Sequence, residues 1–454
     1  MTIAIVAIFA IGYLAIVLEH QLKINKAASA LFIGVTCWAL YMVNVDGLMP
    51  KGTIPEWFST EAQAEHVENI SQHFVIENQH LHLTGEIAGI LFFLMGAMTI
   101  VELVDAHEGF AIITDRIRTR KKTTLLWTVS LLTFFISAAL DNLTTTIIMV
   151  SLLRKLVSEK EDRLKFVGAV VIAANSGGAW TVIGDVTTTM LWIKHKIGTT
   201  EVMSELFIGS FVCLLVPLIG MSFFMRGELA PPTVPNGNNG NGDGVDKNIL
   251  PWHQWLFLGL GLLGLLSVPL FKAITHLPPY MGMMLSLSIL WVASEIVGHH
   301  TMDESTRSST GVLAALRRVD MSSVLFFQGI LMAVGALSAI GVLRETAGWL
   351  DAMIPNRDAV AIIIGLISAV VDNVPIVAAG IEMYEMPMND PFWMLLAYCA
   401  GTGGSCLIIG SAAGVAAMGL EHVDFLWYLR KIGPWALIGY LSGAAVVIAQ
   451  QNLF

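Results

Sequence analysis

Apolar stretches long enough to cross a lipid bilayer, which takes about 20 residues, recur along the whole of this chain. Of its 454 residues, 55% are hydrophobic and only 13% are charged, about half the charged share of a typical soluble protein. This composition excludes a disordered chain and an ordinary soluble enzyme. We therefore predict an all-α polytopic membrane protein.

The net charge and the positions of the cysteines argue against several further classes of protein. A formal charge of -10 argues against nucleic acid or any other polyanion as a partner. The four cysteines (Cys37, Cys213, Cys399 and Cys406) lie in apolar stretches without CxxC spacing. Neither a disulfide framework nor a zinc site is indicated.

The distribution of Lys and Arg between the apolar stretches predicts the orientation, because basic residues favour the cytoplasmic side. No Lys or Arg precedes the apolar run 2–18, which we interpret as a retained span rather than a cleaved signal. The loop 19–26 carries two lysines and is placed inside. The segment 50–83 has one basic residue against five glutamates and is placed outside. Both termini are then expected on the outer, periplasmic side.

Residues 124–152 form an apolar stretch between two basic loops, so both flanks belong inside. A helix of this length measures about 43 Å, whereas two crossings need about 60 Å. The stretch is therefore predicted to be a re-entrant hairpin with its tip at the S-A-A-L-D-N sequence of residues 137–142. Irregular backbone at membrane depth persists only where protein or a water-filled cavity covers it. The tip, with Asp141 and Asn142, is a candidate site on these grounds alone.

A second hairpin is predicted at 359–381, where both flanks are acidic and belong outside. Its centre reads S-A-V-V-D-N at 368–373, so it enters from the opposite face. Two further apolar stretches, 164–193 and 391–420, are interrupted by N-S-G-G and G-T-G-G-S sequences. We interpret them as broken helices.

These patterns predict two repeats, 1–226 and 251–454, joined by a flexible linker at 227–250. Each repeat would contain five spans and one hairpin, and G-G-x5-G recurs at 177–184 and 403–410. Inverted repeats with broken helices meeting near the membrane midplane are typical of secondary transporters, with the substrate between the repeats. No nucleotide-binding P-loop is present, so ion gradients rather than ATP would drive transport. No cofactor is expected.

Three carboxylates stand inside apolar stretches: Asp141, Asp185 and Asp372. A charge in the hydrocarbon costs at least about 2.5–3.5 kcal/mol on insertion scales, so such acids are candidate functional residues. The alternative is a structural carboxylate paired with a Lys or Arg of a distant helix, since neither hairpin core contains a basic residue. Neighbouring oxygens complete a set suited to a small hard cation: Asn142, Thr144 and Asn175 in the first half, and Ser368, Asn373, Thr402 and Ser405 in the second.

A carboxylate removed from bulk water holds a proton more readily. If the same group also binds a cation, proton and cation exclude each other, which is the minimum requirement for exchange. We therefore predict that the three aspartates bind Na⁺ or Li⁺ and that these cations leave in exchange for entering H⁺.

The two D-N hairpin tips and the two broken helices resemble those of the NhaD sodium/proton antiporters of the ion transporter superfamily, over nearly the whole chain. The resemblance implies cation exchange by an elevator-like motion, a homodimer and a bacterial inner membrane. It also implies roles for the matching positions Ser137, Asp141, Asn142, Asn175, Asp185, Thr187, Thr188, Ser368, Asp372, Asn373 and Ser405. Ser411 stands where the first half has Asp185, so the second half is less acidic.

Two other interpretations compete with cation exchange. Sodium-coupled dicarboxylate carriers and arsenite exporters resemble the same superfamily, but an aspartate at each tip would repel an anion. Intramembrane aspartyl proteases also contain two buried aspartates, yet their pattern needs other residues than the Val182 and Val371 found here. We therefore predict a transporter rather than an enzyme. The histidines of the outer segment (His66, His73, His80 and His82) suggest either a pH sensor or solvated loop residues.

Overall fold

A computed structural model of the chain describes residues 1–64, 67–114, 117, 119–229, 249–370 and 372–453. Within these ranges the structure is helical, with a single isolated β-bridge between Lys121 and Glu228.

Eighteen of the helices are numbered here in chain order. They are α1 Thr2–Val17, α2 Lys26–Val43, α3 Leu81–Ala106, α4 Lys122–Leu140, α5 Asn142–Leu156, α6 Lys160–Gly178, α7 Val186–Ile193, α8 Thr199–Phe224, α9 Pro251–Thr275, α10 Pro279–Thr301, α11 Met321–Ala339, α12 Val342–Met353, α13 Arg357–Ile367, α14 Asn373–Met383, α15 Pro391–Gly403, α16 Ala412–Glu421, α17 Phe425–Lys431 and α18 Gly433–Leu453. Short helices occupy Glu19–Leu22, Val45–Leu48, Glu56–Ala64, Ile70–Phe74, Ala111–Thr114, Glu304–Thr310 and Val312–Arg318, and Val75–His80 is a π-helical turn.

Eight helices of the described residues are long and apolar enough to cross a membrane. They are Lys26–Val43, Ile70–Ala106, Lys122–Leu140, Thr199–Phe224, Pro251–Thr275, Pro279–Thr301, Met321–Ala339 and Gly433–Leu453. The prediction of an all-α polytopic membrane protein is confirmed.

The breaks in the apolar stretches fall where the sequence predicts them. The stretch 124–152 is divided at Asp141 between α4 and α5, and 359–381 is divided between α13 and α14. The two glycine-rich stretches are each a pair of shorter helices, α6 with α7 and α15 with α16. Each break leaves backbone groups without helical partners, so the hydrogen bonds at these points decide how the helices are held.

By internal contacts the chain divides into two compact units, each drawing segments from both halves of the sequence. The first comprises Met1–Phe92, Asp320–Val360 and Val374–Pro387. In it α2 packs against α1 and α11. The crossing of α2 and α11 is close, because a Cβ on Gly34 would lie 2.5 Å from the carbonyl oxygen of Gly329. Small residues allow such an approach in membrane helices.

The second unit comprises Phe93–Val319, Ala361–Asn373 and Met388–Phe454. Helix α6 packs against α4 and α5, α5 packs against α16, and α8 packs against α18. Both broken helices and the first hairpin therefore belong to this unit. The division into inverted repeats at 1–226 and 251–454 stays a prediction.

The predicted linker and the predicted outer histidine group lie partly outside the described residues. Residues 230–248 and His66 are in the undescribed part. Leu229 donates its backbone N–H to the Arg120 carbonyl at 2.8 Å, so the first residues assigned to the linker pair with residues 120–122. His73 lies 3.3 Å from a carboxylate oxygen of Glu77.

The close crossing of α2 and α11 leads to a stability prediction. Gly329→Leu would push a side chain into the backbone of α2, which we expect to destabilise the protein by about 1–3 kcal/mol. Gly259→Leu is the matched control, because nothing lies within 4 Å of the position that a Cβ on Gly259 would occupy. Thermal unfolding in detergent should show a lower melting temperature for the first variant only. Equal melting temperatures would contradict the packing.

Candidate functional site

The first hairpin turns at Asp141, which ends α4 and begins α5. Its backbone has φ 97° and ψ 159°, a region that is nearly exclusive to glycine and costs of order 1–3 kcal/mol for other residues. The carboxylate caps α5: one oxygen accepts the Thr144 backbone N–H at 2.8 Å and the other accepts the Thr144 hydroxyl at 3.0 Å. The bonds to Thr144 therefore hold Asp141 at the hairpin tip in a strained backbone conformation.

Asp185 holds the corresponding position at the break between α6 and α7. It is 1% exposed and caps α7, with Oδ1 accepting the backbone N–H of Thr187 at 2.8 Å and its hydroxyl at 2.6 Å. Thr188 donates its hydroxyl to the Asp185 carbonyl at 2.9 Å. The residues G-D-V-T-T-T therefore form a helix start around a buried carboxylate.

Asn175, fully buried at the C-terminal end of α6, joins the two halves of the sequence. Asn142 donates Nδ2 to Asn175 Oδ1 at 3.0 Å and to Asp185 Oδ2 at 2.5 Å. Asn175 Nδ2 in turn donates to the hydroxyls of Ser405 at 2.9 Å and Ser411 at 2.8 Å. We call these five side chains the amide network. It brings together the first hairpin tip and both broken helices.

The second hairpin tip lies near the same carboxylate. Asp141 and Asp372 both interact electrostatically with Asp185. Asn373, which begins α14, is 5% exposed. Three intramembrane acids far apart in the sequence are thus within electrostatic range of one another.

The two hairpins contact the broken helices in the same way. Ser137 donates its hydroxyl to the Ala174 carbonyl at 2.6 Å, and Ser368 donates to the Ala400 carbonyl at 3.3 Å. A Cβ on Gly177 would clash with the backbone of α4 at residue 134, and a Cβ on Gly403 would clash with the backbone of α13 at residue 365. The C-terminal parts of α4 and α13 therefore contact α6 and α15 through the same kind of serine bond and glycine approach.

Some candidate residues lie outside the amide network. Thr402 donates its hydroxyl to the Tyr398 carbonyl within its own helix at 2.6 Å, and Ser137, Thr188 and Ser368 bind backbone carbonyls. These hydroxyls satisfy backbone acceptors near the breaks, which is a structural contribution to the site.

The structure adds two residues to the site. Ser411 caps α16 by accepting the Gly414 backbone N–H at 3.1 Å and also binds Asn175. Tyr428 donates its hydroxyl to the Ser405 carbonyl at 2.9 Å. The sequence signal for Ser411 is its place in the repeated G-G-x5-G pattern, one residue after the last glycine. No sequence pattern marks Tyr428.

The chemistry around the buried acids is that of neutral oxygen and amide groups. In the described part of the chain, the hydrogen-bond donors to Asp141 and Asp185 are threonine and asparagine groups and the Leu143 backbone N–H, and no Lys or Arg is among them. The structural alternative, a carboxylate neutralised by a distant basic side chain, is therefore not what surrounds these two residues. Carboxylate, amide and hydroxyl oxygens are ligands for hard cations.

Comparison with known proteins agrees with this geometry. A family model described as citrate transporter matches residues 3–401. The chain is 47% identical over 456 residues to Sodium/proton antiporter 1 of Arabidopsis thaliana, covering 99% of this chain and 73% of the relative. It is 41% identical to Sodium/proton antiporter 2 of the same plant (98% and 99% covered) and 32% identical to Na(+)/H(+) antiporter NhaD of Vibrio cholerae (96% and 89% covered).

Broken membrane helices around buried acids, together with the citrate transporter match, define a secondary transporter. Within that class, the chain belongs to the family of NhaD-type Na⁺/H⁺ antiporters. The resemblance noted in the two D-N tips is confirmed.

The amide network leads to a second stability prediction. Asn175→Ala would leave the buried Asn142, Ser405 and Ser411 groups each without one partner, at a cost of about 1–3 kcal/mol for an unsatisfied group. Ser176→Ala is the control, because Ser176 binds only the carbonyls of its own helix. We expect a clear fall in the melting temperature for the first variant and a small change for the second. Equal melting temperatures for Asn175→Ala and the native protein would exclude the network as a stabilising element.

Proposed function

We propose that this protein exchanges Na⁺, and also Li⁺, for H⁺ across its membrane, without a cofactor and without covalent chemistry. The observation that carries the proposal is the group of three intramembrane acids, Asp141, Asp185 and Asp372, of which Asp185 is fully buried among neutral partners. The names of the relatives, which are sodium/proton antiporters, support the same cargo.

The acids supply the competition that exchange requires. A proton or a cation neutralises a buried carboxylate, and either one relieves the repulsion that Asp185 experiences from Asp141 and Asp372. Only one of them can occupy a given carboxylate at a time. Na⁺ and H⁺ are therefore alternative ligands of one site, and the loaded site is always closer to neutral than the empty one.

The broken helices add fixed dipoles to this site. Helices α4, α6 and α15 end at the breaks, and their last carbonyls carry partial negative charge that favours a cation. Near these ends Asn175 is hydrogen-bonded to Asn142, Ser405 and Ser411, and Asn142 also binds the Asp185 carboxylate. We assign to Thr144 and Thr187 the orientation of Asp141 and Asp185 through the bonds that cap α5 and α7.

We further propose an elevator-like motion, a homodimer, a bacterial inner membrane and outward-facing termini. The relative from Vibrio cholerae supports a bacterial setting, and the basic loops around 124–152 support the orientation. The molar mass of the detergent-solubilised protein, measured by light scattering, tests the dimer. A monomer at all concentrations would contradict it.

Neutralising the acids tests the proposed exchange. We expect Asp141→Asn, Asp185→Asn and Asp372→Asn each to lower Na⁺-driven proton flux in vesicles by at least about tenfold, since that factor corresponds to only about 1.4 kcal/mol of lost interaction. Asn has nearly the same shape as Asp, so it would meet the same backbone strain, and it can also cap a helix, so Asp141→Asn isolates the charge. Asp46→Asn, at an exposed position, should leave the flux unchanged. Flux retained by all three variants in correctly inserted protein would contradict the proposal.

Anion transport is the second candidate, because the matching family model is described as a citrate transporter. Three acids that interact electrostatically would repel a carboxylate substrate unless bound cations screened them. Vesicles with an imposed pH gradient, given Na⁺, Li⁺, K⁺, succinate and citrate in turn, separate the two functions. Gradient dissipation by Na⁺ and Li⁺ supports exchange; dissipation that requires succinate or citrate would replace it.

A further inference from the structure

An ion cluster around a buried carboxylate holds the ends of α5 and α16 that point away from the site. Glu421, 3% exposed, is the last residue of α16. One of its carboxylate oxygens lies 2.5 Å from Nε of Arg154, on α5, and the other lies 2.8 Å from Nε of Arg163, on α6. We call these three residues the Glu421 cluster. A buried carboxylate is retained only when it is paired, and here it is paired twice.

Both arginines also bind the ends of helices. Arg154 donates to the Leu420 carbonyl in the last turn of α16. Arg163 donates to the carbonyls of Val157 at 2.8 Å and Ser158 at 3.2 Å, which follow the last turn of α5. Cations at helix C-termini are favoured by the helix dipole. The cluster therefore ties the C-terminal ends of α5 and α16 to each other and to the start of α6.

The opposite ends of the same two helices are part of the site. Asn142 begins α5, Ser411 caps α16, and both bind Asn175. The two helices pack against each other. They therefore run parallel and are joined at both ends, by Asn175 at the site and by the Glu421 cluster about 15–18 Å away along the helix axes.

Joining two helices at both ends fixes how far one can slide along the other. Sliding of α16 along α5 would move the Ser411 hydroxyl relative to Asn142 and would break the bonds that meet at Asn175. Within the amide network, the bonds that join α5, α6 and α16 to one another are amide and hydroxyl contacts without an ion pair. Among the side chains that the structure describes, the ion pairs of Glu421 at the far ends are the charged contacts between these three helices.

We propose that the Glu421 cluster is a positioning device for the cation site: it sets the register of α5 and α16 and so keeps Asn142 and Ser411 on Asn175. This inference rests on the proposed function. None of the three residues touches the cation. Their loss weakens cation binding and leaves the rate of the loaded transporter largely unchanged.

The test measures the apparent KM for Na⁺ and the maximal rate separately, in vesicles with equal amounts of inserted protein. We expect Glu421→Gln and Arg154→Gln to raise KM by about three- to tenfold with a smaller change in maximal rate. Arg154→Lys keeps the positive charge next to Glu421 and should restore much of the affinity. Glu161→Gln is the matched control, because Glu161 lies on α6 near Arg163 but is 71% exposed.

Arg154→Gln carries the test if Glu421→Gln does not accumulate, because Arg154 is 47% exposed and Glu421 keeps its bond to Arg163. The rise in melting temperature that Na⁺ produces should shrink in the same variants, which reports binding without turnover. A native KM and a native Na⁺-induced rise in Arg154→Gln would overturn the positioning role. A native protein that shows no Na⁺ response would instead overturn the proposed function.

Discussion

The structure depends on one constraint: in a membrane, every backbone group freed where a helix breaks must find a partner inside the protein. The breaks meet this requirement with side chains. Thr181 donates to the Ala138 carbonyl at 2.6 Å, Thr189 donates to the Val182 carbonyl at 2.8 Å, and Asp185 and Ser411 accept the N–H groups of the following helices. The polar residues that allow the helices to break are therefore the same kind of residues that a cation requires.

Close packing between the hairpins and the broken helices has a related cause. A serine of a hairpin can donate a hydrogen bond to a backbone carbonyl of the neighbouring helix only if the two backbones approach closely. The glycines at 177 and 403 permit this, since a Cβ at either position would meet backbone atoms of the hairpin. Packing at these points and the bonds of Ser137 and Ser368 are thus one arrangement, present twice. A single substitution at either glycine would disturb both.

The sequence predicts features that depend on neighbouring residues and misses those that depend on distant ones. The D-N turns and the glycine breaks follow from local helix breakers, and helices end at these points in the structure. The spans agree less well: among the described residues, the helices long enough to cross a membrane include Lys122–Leu140, in a predicted hairpin, and leave out Thr2–Val17, a predicted span. The sequence analysis does not predict the helices Ile70–Phe74 and Val342–Met353, because these segments contain many polar residues and no long apolar stretch. Asn175 and Ser411, which are hydrogen-bonded, lie 236 positions apart in the sequence. The spacing of apolar residues along the sequence does not predict contacts between such distant residues. The positive φ of Asp141 is likewise visible only in the backbone.

The difference between Asp185 and Ser411 bears on what the carboxylate is for. Both cap a short helix after a G-G-x5-G sequence by accepting a backbone N–H, at 2.8 Å and 3.1 Å. Since a neutral serine performs this capping in the second half, the fold does not require a charge at the equivalent place in the first. A buried charge without a basic partner costs several kcal/mol. Asp185 is not needed as an acid to cap its helix, and burying its charge beside two other acids costs free energy. A positively charged substrate explains why an acid is present there.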